Sequence, residues 1–506
     1  MPLLTLMMVV PLVGAVVVAF LQGQAAKITA LGTSLVVLVL AVMAWAQFDT
    51  GASAQFQLAE VHPWIPQFGV SYALGVDGIA LSLIVMAAIL TPICLLAAWH
   101  DVADEGRRVS TYFALMLVLE TFMVGVFAAT DVFLFYVFFE AMLIPVYFLI
   151  GMFGGARRQY AAMKFLLFSL AGGLIMLVAV IAVYVHGPGG EQGFLISELI
   201  GNVGGTETAK RLMFLGFFIA FAVKAPMWPV HTWLPDAATE ARPATAVLLV
   251  GVLDKVGTYG MIRFCLQLFP EASQWATPVV ITLAVISVIY GALLAIGSND
   301  IMRLIAFTSI SHFGFIVLGI FAMTSVGGAG SALYMVNHGF STAGLFLLAG
   351  FLATRGGSKR ISDYGGWQRV TPVLAGSFLI AGLSSLALPG LSSFVSEFLV
   401  LQGTFMRYKV AAAIAALGIV LAALYILLMY QKVMTGPKPE FADGAAPADL
   451  SWREKAVVIP IIASFVVLGV FPKPVLDLVN PAVDRTLEIV GVADPAPAVN
   501  ASESAK

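Results

Sequence analysis

Long runs of apolar residues without charge, rather than an alternation of apolar and polar positions, dominate this chain. Residues 1–20, 165–185 and 373–388 contain no Asp, Glu, Lys or Arg. A transmembrane helix needs about 20 predominantly apolar residues, whereas a transmembrane strand gives shorter, alternating segments. The pattern therefore predicts an all-α polytopic membrane protein.

Hydropathy divides the chain into about 14 spans. We place them at 3–22, 28–48, 77–99, 111–130, 132–151, 162–186, 211–232, 244–268, 277–297, 301–324, 329–353, 371–402, 408–433 and 455–475. No segment between spans approaches the size of a soluble domain, about 100 residues. Any chemistry is therefore expected within the membrane or at its faces.

Composition supports this class and excludes others. Of 506 residues, 60% are apolar and 11% are charged, whereas soluble proteins carry about 25% charged residues. The net charge of −2 provides no basic field for a nucleic-acid partner. Cys94 and Cys265 both lie in apolar runs and form no CxxC pair, so the chain offers no ligand set for structural zinc or an iron–sulfur cluster.

Basic residues predict the orientation. Loops after odd-numbered spans carry 16 Lys and Arg, and loops after even-numbered spans carry 4. Positive charge favours the cytoplasmic side, so both termini are predicted outside. The start lacks the basic region of a cleaved signal peptide, which predicts that the first helix is retained.

Seven ionisable residues deep inside the predicted spans are singled out as candidates for chemistry, because a charge there costs about 2.5–3.5 kcal/mol on insertion scales. They are Glu120, Glu140, Lys224, Lys255, His312, His338 and Glu397. Structural ion pairs are one interpretation, particularly for Glu120, and proton transfer is the other. Asp254 adjoins Lys255 but points about 100° away around the helix, so it is not the obvious partner of that lysine.

Prolines stand close to these charges. Pro226 and Pro229 follow Lys224 and predict a break in span 7, while Pro389 and Gly390 predict a break in span 12. Irregular backbone at membrane depth is tolerated where it lines a cavity or packs against protein. Interrupted spans at corresponding positions of two halves indicate a transporter with two inverted five-helix repeats, spans 4–8 and 9–13.

Polar residues at helical spacing accompany the charges. Two stripes repeat every four residues: Lys255, Tyr259 and Arg263 in span 8, and Tyr334, His338 and Thr342 in span 11. Such stripes can hold ordered water through hydrogen bonds. They predict a wet line through the middle of the bundle, which lateral proton movement requires.

Several motifs coincide with these positions. The segment 223–237, VKAPMWPVHTWLPDA, resembles the signature of the antiporter-like subunits of respiratory complex I, and the similarity extends over roughly residues 60–435. Phe139-Glu140-Ala141, the run 254–260 (DKVGTYG) and the run 309–314 (SISHFG) match the same family. Several members carry lysine at the span-12 position, so Glu397 favours the M (chain 4) branch over the L and N branches and over Na⁺/H⁺ antiporter subunits.

The resemblance implies a proton-translocating subunit of NADH:quinone oxidoreductase, with residues 1–110 preceding the repeats, 111–268 and 269–433 forming them, and 434–506 forming a last helix and tail. It implies these roles: Glu140 and Lys224 as the charge pair of the first half-channel, Lys255 as central relay, His312 and His338 as second-half relay, Glu397 as exit group, and Glu120 as a link to a neighbouring subunit.

The implied setting is a bacterial plasma membrane, with the L and N subunits as neighbours. Cofactors are expected in partner subunits only, as FMN, iron–sulfur clusters and quinone. One alternative is a subunit of an Na⁺/H⁺ antiporter or a membrane-bound hydrogenase. Another is a haem-bearing electron carrier with His312 and His338 as axial ligands. A nicotinamide site is disfavoured, since the glycines at 327–330 do not follow a strand.

Overall fold

The computed structural model describes residues 2–102, 107–441 and 446–496, and most of them are helical. In the first half the elements are α1 (Leu3–Phe20), α2 (Gly23–Gln47), β1 (Gln57–Ile65), β2 (Val70–Val76), α3 (Gly78–Ala97), α4 (Arg107–Ala128), α5 (Val132–Ala141), α6 (Leu143–Phe153), α7 (Arg158–His186), α8 (Ile196–Leu199), α9 (Glu207–Lys224), α10 (Trp233–Glu240) and α11 (Pro243–Ala246). In the second half they are α12 (Lys255–Gly260), α13 (Pro270–Ile296), α14 (Ile301–Phe321), α15 (Ser325–Gly356), α16 (Pro372–Ser385), α17 (Ser392–Arg407), α18 (Lys409–Met434), α19 (Trp452–Val470) and α20 (Lys473–Val490).

Eleven helices of the described chain are long and apolar enough to cross a membrane, or 12 if the bent pair α19 and α20 is one span. The predicted spans outside this set are 211–232 and 371–402. Both are divided into shorter helices, and the first also carries charged residues in its opening turns. The chain is thus a multi-pass helical membrane protein.

Both predicted breaks are confirmed. Helix α9 ends at Lys224, and α10 begins only at Trp233. Pro226 has no N–H to continue the helix, and the Ala222 carbonyl instead accepts a hydrogen bond from Met227 N at 3.0 Å in a wider turn. Helix α16 ends at Ser385 and α17 begins at Ser392, with Pro389 and Gly390 in the connecting segment.

The centre of the bundle is formed by the span at Pro243–Leu266 and by α14 and α15, all of them buried. By contrast, α2, α7 and α18 leave many large apolar side chains exposed, as expected for surfaces that face lipid or another subunit. The buried helices contain most of the residues with unusual chemistry. Polar groups there are shielded from lipid by a surrounding layer of helices.

A β-hairpin occupies much of the predicted loop 49–76. Strands β1 and β2 pair antiparallel, and Gly69 closes the turn in the left-handed conformation, with φ of 66°. Glu60 of β1 accepts a hydrogen bond from Leu4 N at 2.9 Å, so it caps the first turn of α1. The hairpin therefore fixes the start of the chain to its own face of the bundle.

The composition of the tail from about residue 476, with Ala, Pro and Ser after Asp494, predicts that it is poorly ordered. This prediction is wrong for the first part of the tail. Helix α20 has an apolar stripe that includes Val475, Leu478 and Val479, and this stripe packs on α3 and α15. At Gly78 of α3, an added Cβ would meet the Leu478 carbonyl oxygen at 1.6 Å, so the two helices touch through backbone. Most of the segment expected to be disordered after Asp494, residues 497–506, lies outside the described residues.

Basic side chains connect the loops on the opposite face of the bundle. The contacts run from Arg108 to the Met152 carbonyl, from Arg242 to the Phe153 carbonyl, from Lys359 to the Thr239 carbonyl and from Arg453 to the Leu96 carbonyl. All of these basic residues come from loops after odd-numbered predicted spans. The structure therefore places basic residues of these loops on one face, as the charge pattern predicts.

Candidate functional site

Lys224 lies at the broken end of α9 and is 1% exposed. Its Nζ has no hydrogen-bond partner among the described residues. It lies 5.1 Å from the ring centre of Phe139 and 5.5 Å from that of Phe165. Two aromatic faces, rather than an anion in direct contact, therefore surround this buried ammonium group.

Glu140 lies in the last turn of α5, and its Oε1 is buried without a hydrogen-bond partner in the described chain. This oxygen packs so closely on α7 that a Cβ at Gly173 would lie 1.6 Å from it, so a side chain at position 173 would displace the carboxyl group from its present place. Glu140 and Lys224 are electrostatic neighbours. Lys224 Nζ forms no direct bond with Glu140 among the described residues, so the role of the two as the charge pair of the first half-channel stays a prediction.

Lys255 lies at the centre of span 8 between two wide, π-helical turns, Val247–Leu253 and Met261–Leu266, which the hydropathy pattern does not predict. Such turns are frequent at functional sites. Lys255 Nζ donates to the Val250 carbonyl at 2.7 Å and lies 2.8 Å from His338 Nδ1. The lysine therefore joins span 8 to α15.

The two histidines continue this connection. The ring centres of His338 and His312 are 5.3 Å apart. His312 Nδ1 lies 2.6 Å from the Tyr334 hydroxyl, and its Nε2 lies 3.4 Å from the Ser385 hydroxyl at the break of span 12. A buried series of side chains thus runs from Lys255 to the broken end of α16.

Glu397 lies in the second turn of α17, just beyond that break, and is 2% exposed. Neither carboxyl oxygen has a hydrogen-bond partner among the described residues, and neither does the buried hydroxyl of Tyr425 nearby. Asn337 of α15 holds the start of α17 through its Nδ2, which donates to the Ser392 carbonyl at 2.5 Å. The structure therefore places Glu397 next to the second break without a direct partner.

Glu120 is not brought together with the other residues. It is fully buried in α4, and its carboxyl oxygens have no hydrogen-bond partner in the described part of the chain. The next residue, Thr121, donates to the Met8 carbonyl of α1. Among the described residues no hydrogen bond joins Glu120 to Lys255, His338 or His312, and its role as a link to a neighbouring subunit stays a prediction.

The polar stripe of span 8 makes two separate sets of contacts, because Tyr259 and Arg263 do not join Lys255 in its contact with His338. Tyr259 donates to the Phe127 carbonyl at 3.0 Å, and Arg263 forms a buried ion pair with Asp77 at the start of α3. Guanidinium groups keep their protons in proteins. This end of the stripe therefore fastens α3 to span 8, close to the hairpin.

Asp254 is the residue that sequence reasoning missed. It is fully buried, neither of its carboxyl oxygens has a hydrogen-bond partner among the described residues, and it interacts electrostatically with both Lys224 and Lys255. The sequence feature that could have identified Asp254 is its position within a predicted span, directly beside Lys255. Its rotation away from Lys255 argued against pairing with that lysine, yet the structure gives it a second lysine as neighbour.

Asp236, on α10, fixes the rim of the site at the basic face. It accepts hydrogen bonds from Lys164 at 2.7 Å and from Arg303 at 2.8 Å. Burial alone would raise the pKa of Asp236, but the two basic partners outweigh it and hold that pKa below its usual range. Because Lys164 belongs to α7 and Arg303 to α14, this carboxylate joins the two halves of the bundle at their rim.

The chain is similar to known proteins over nearly its whole length. Residues 129–424 match a family model described as NADH:quinone oxidoreductase/Mrp antiporter, TM. NADH-quinone oxidoreductase subunit M from Mycobacterium tuberculosis is 50% identical over 98% of this chain and 96% of that protein.

Two solved structures show the same fold. A chain in the structure of respiratory complex I from Thermus thermophilus with bound NADH matches with a TM-score of 0.88 and 32% identity, over 97% of this chain and 100% of that one. A chain of the Mrp complex from a Dietzia species matches with a TM-score of 0.84 and 22% identity, over 96% of this chain and 98% of that one. The second likeness concerns the fold alone.

Proposed function

Because this chain belongs to the family of NADH:quinone oxidoreductase and Mrp antiporter membrane subunits, we propose that it is a membrane-arm subunit of NADH:quinone oxidoreductase, respiratory complex I, and translocates protons across the membrane. Electron transfer from NADH to quinone takes place in other subunits and drives this movement. The relative named subunit M, at 50% identity, supports this assignment.

One observation carries the proposal: a buried series of proton-accepting and proton-donating side chains connects span 8 to the break of span 12. It runs from Lys255 through His338 and His312 to Ser385. A neutral imidazole can accept a proton at one ring nitrogen and release one from the other. Since His338 Nδ1 accepts from Lys255, a proton can pass from this amine to the imidazole, with water bridging the gap to His312.

In the first half-channel, the charges of Glu140 and Lys224 control when Lys224 takes up and releases a proton. A carboxylate close to an ammonium group favours its charged form, and separation removes that attraction. Glu140 and Lys224 stand as neighbours without a direct bond. In the proposed cycle, their approach draws a proton onto Lys224 and their separation releases it toward Lys255. Glu397 then acts as the exit group beyond the second break.

The proposed membrane arrangement has 14 crossings. Eleven single helices and the bent pair α19 and α20 supply 12 of them, and the broken spans 211–232 and 371–402 supply the other two. Spans 4–8 and 9–13 then form two inverted repeats, with both termini outside a bacterial plasma membrane. The L and N subunits are the proposed neighbours, and FMN, iron–sulfur clusters and quinone belong to partner subunits. An Na⁺/H⁺ antiporter subunit is less well supported, since the Mrp likeness rests on 22% identity.

The test uses the complete complex in membrane vesicles. Glu140→Gln and Lys224→Ala are introduced separately, and NADH-driven proton pumping and quinone reduction are measured together. Both variants are expected to pump slowly, because each removes a titrating group of the first half-channel. Lys210→Ala on the same helix α9 is the matched control, since Lys210 is part-exposed and its Nζ makes a long ion-pair contact of 3.8 Å with Glu271. Wild-type pumping in both site variants would refute the proposal.

A further inference from the structure

Asp254 is a buried carboxyl group that the proposed cycle does not yet use. It is fully buried, and its two oxygens have no hydrogen-bond partner among the described residues. Leaving a buried polar group without a partner costs about 1–3 kcal/mol, and more if the group is charged. Because the buried Asp254 side chain costs stability and forms no hydrogen bond to a described residue in return, its presence requires an explanation other than a structural one.

Backbone packing places Asp254 on the side of span 8 that faces the broken end of α9. Gly257, one helical turn later, touches that break so closely that an added Cβ would lie 2.5 Å from the Phe221 carbonyl oxygen and 2.6 Å from Ala225 N. Residues three apart on a helix share a face. Asp254 therefore lies on the face that packs against the segment immediately around Lys224.

The next residue faces the other half of the molecule. Lys255 is rotated by about 100° from Asp254, and its Nζ reaches His338 of α15. Two adjacent residues thus point to the two halves of the site, the aspartate toward α9 and the lysine toward the histidines. Asp254 also interacts electrostatically with both Lys224 and Lys255. It is the carboxyl group positioned between them.

We propose that Asp254 is a further proton-carrying residue, which accepts a proton that leaves Lys224 and passes it to Lys255. The inference rests on the proposed function and adds the step between its two lysines. In the first transfer, the Lys224 ammonium and the Asp254 carboxylate become a neutral amine and a neutral acid. In the second, the acid protonates the neutral amine of Lys255 and returns to a carboxylate, so no proton or charge is lost.

The competing role is structural: Asp254 would only balance the charge of two lysines. Asp254→Asn separates the two roles, because it keeps the shape of the side chain but cannot titrate. A carrier role predicts that the assembled Asn variant pumps slower by about a hundredfold, the low end of what a positioned proton-transfer group contributes. It also predicts an unchanged or higher melting temperature, since a neutral amide replaces a carboxyl group without partners.

The experiment measures initial proton-pumping rates and thermal stability of the complete complex in vesicles. Asp254→Glu, which keeps the carboxyl group, is expected to recover most of the pumping. Asp131→Asn is the matched control, because Asp131 is a buried aspartate that accepts from Leu134 N to cap α5 and from Ser71 N of β2, away from the lysines. This control is expected to pump at the wild-type rate per assembled complex.

Parallel measurement of Glu140→Gln distinguishes the two proposals. If Glu140→Gln pumps slowly and Asp254→Asn pumps at the wild-type rate, the inference on Asp254 is wrong and the proposed function stands. If Glu140→Gln, Lys224→Ala and Asp254→Asn all pump at the wild-type rate, the proposed function fails and the inference on Asp254 fails with it. A joint loss of pumping and melting temperature in Asp254→Asn also overturns the carrier role. Should the Asn variant not assemble, Asp254→Ser, which leaves room for water, takes its place with the same deciding outcomes.

Discussion

The hydrogen bond between Lys255 and His338 allows stability and proton transfer to be separated in one pair of variants. Lys255 Nζ has two partners, the Val250 carbonyl at 2.7 Å and His338 Nδ1 at 2.8 Å. In Asn, the amide oxygen is attached to Cγ, as Nδ1 is in His. His338→Asn can therefore still accept from the lysine but cannot relay a proton, whereas His338→Leu can do neither.

The contacts of His338 allow the loss of stability and the loss of pumping to be estimated for each variant. A hydrogen bond to a charged group contributes about 1.5–3 kcal/mol, and its loss leaves the buried ammonium with one partner. His338→Leu is therefore expected to destabilise the subunit by about 2 kcal/mol. His338→Asn should cost less than half of that. Both variants should pump protons slower by on the order of a hundredfold if the imidazole carries the proton.

The assay compares heat-induced loss of the purified complex on native gels with NADH-driven acidification of vesicles. The expected pattern is lower thermal stability in His338→Leu only, and slow pumping in both variants. Fast pumping by His338→Asn would refute the relay role of this histidine. Equal thermal losses in the two variants would show that the contact with Lys255 does not stabilise the fold as described.

Three further predictions follow from packing and charge. Gly257→Ala should destabilise the subunit by about 1–3 kcal/mol, because the added Cβ meets rigid backbone of the neighbouring segment. At Gly376 an added Cβ would meet no packed neighbour within 4 Å, so Gly376→Ala should be neutral or stabilising by up to about 1 kcal/mol. The melting temperatures of the two variants are compared with that of the wild type. Arg263→Met should cost about 3–5 kcal/mol by leaving Asp77 buried without its partner, and recovery in the double variant with Asp77→Leu, read from the amount of assembled complex, would support this cause. The lowered pKa of Asp236 means that its carboxylate stabilises the fold above about pH 4 and that this contribution disappears as pH falls through the folded-state pKa. Asp236→Asn should therefore melt lower than the wild type at pH 7, with a smaller gap at pH 3 to 4; an equal gap across this range would contradict the assignment.

The hydropathy pattern and the positions of the prolines predicted much of the architecture. The uncharged runs predicted a helical membrane protein, and Pro226 and Pro389 predicted breaks that the structure confirms. Local chemistry suffices here, because a proline lacks its own N–H wherever it stands. The hairpin at Gln57–Val76 and the helix α20 escaped prediction. Both depend on packing against distant segments rather than on long apolar runs.

The sequence by itself determined which residues are chemically out of place: a charge within an apolar run is visible without coordinates, since lipid penalises it wherever the helix packs. Only the tertiary structure decided which of these residues meet. It joins Lys255 to His338 and leaves Glu140 and Lys224 without a direct bond. It also leaves Glu120 without a hydrogen bond to these residues and places Asp254 on the face of span 8 that packs against the broken end of α9. The physical reason is that helical spacing gives the direction of a side chain only relative to its own helix, whereas contact depends on the rotation, the wide turns and the close glycine packing of the helices around it.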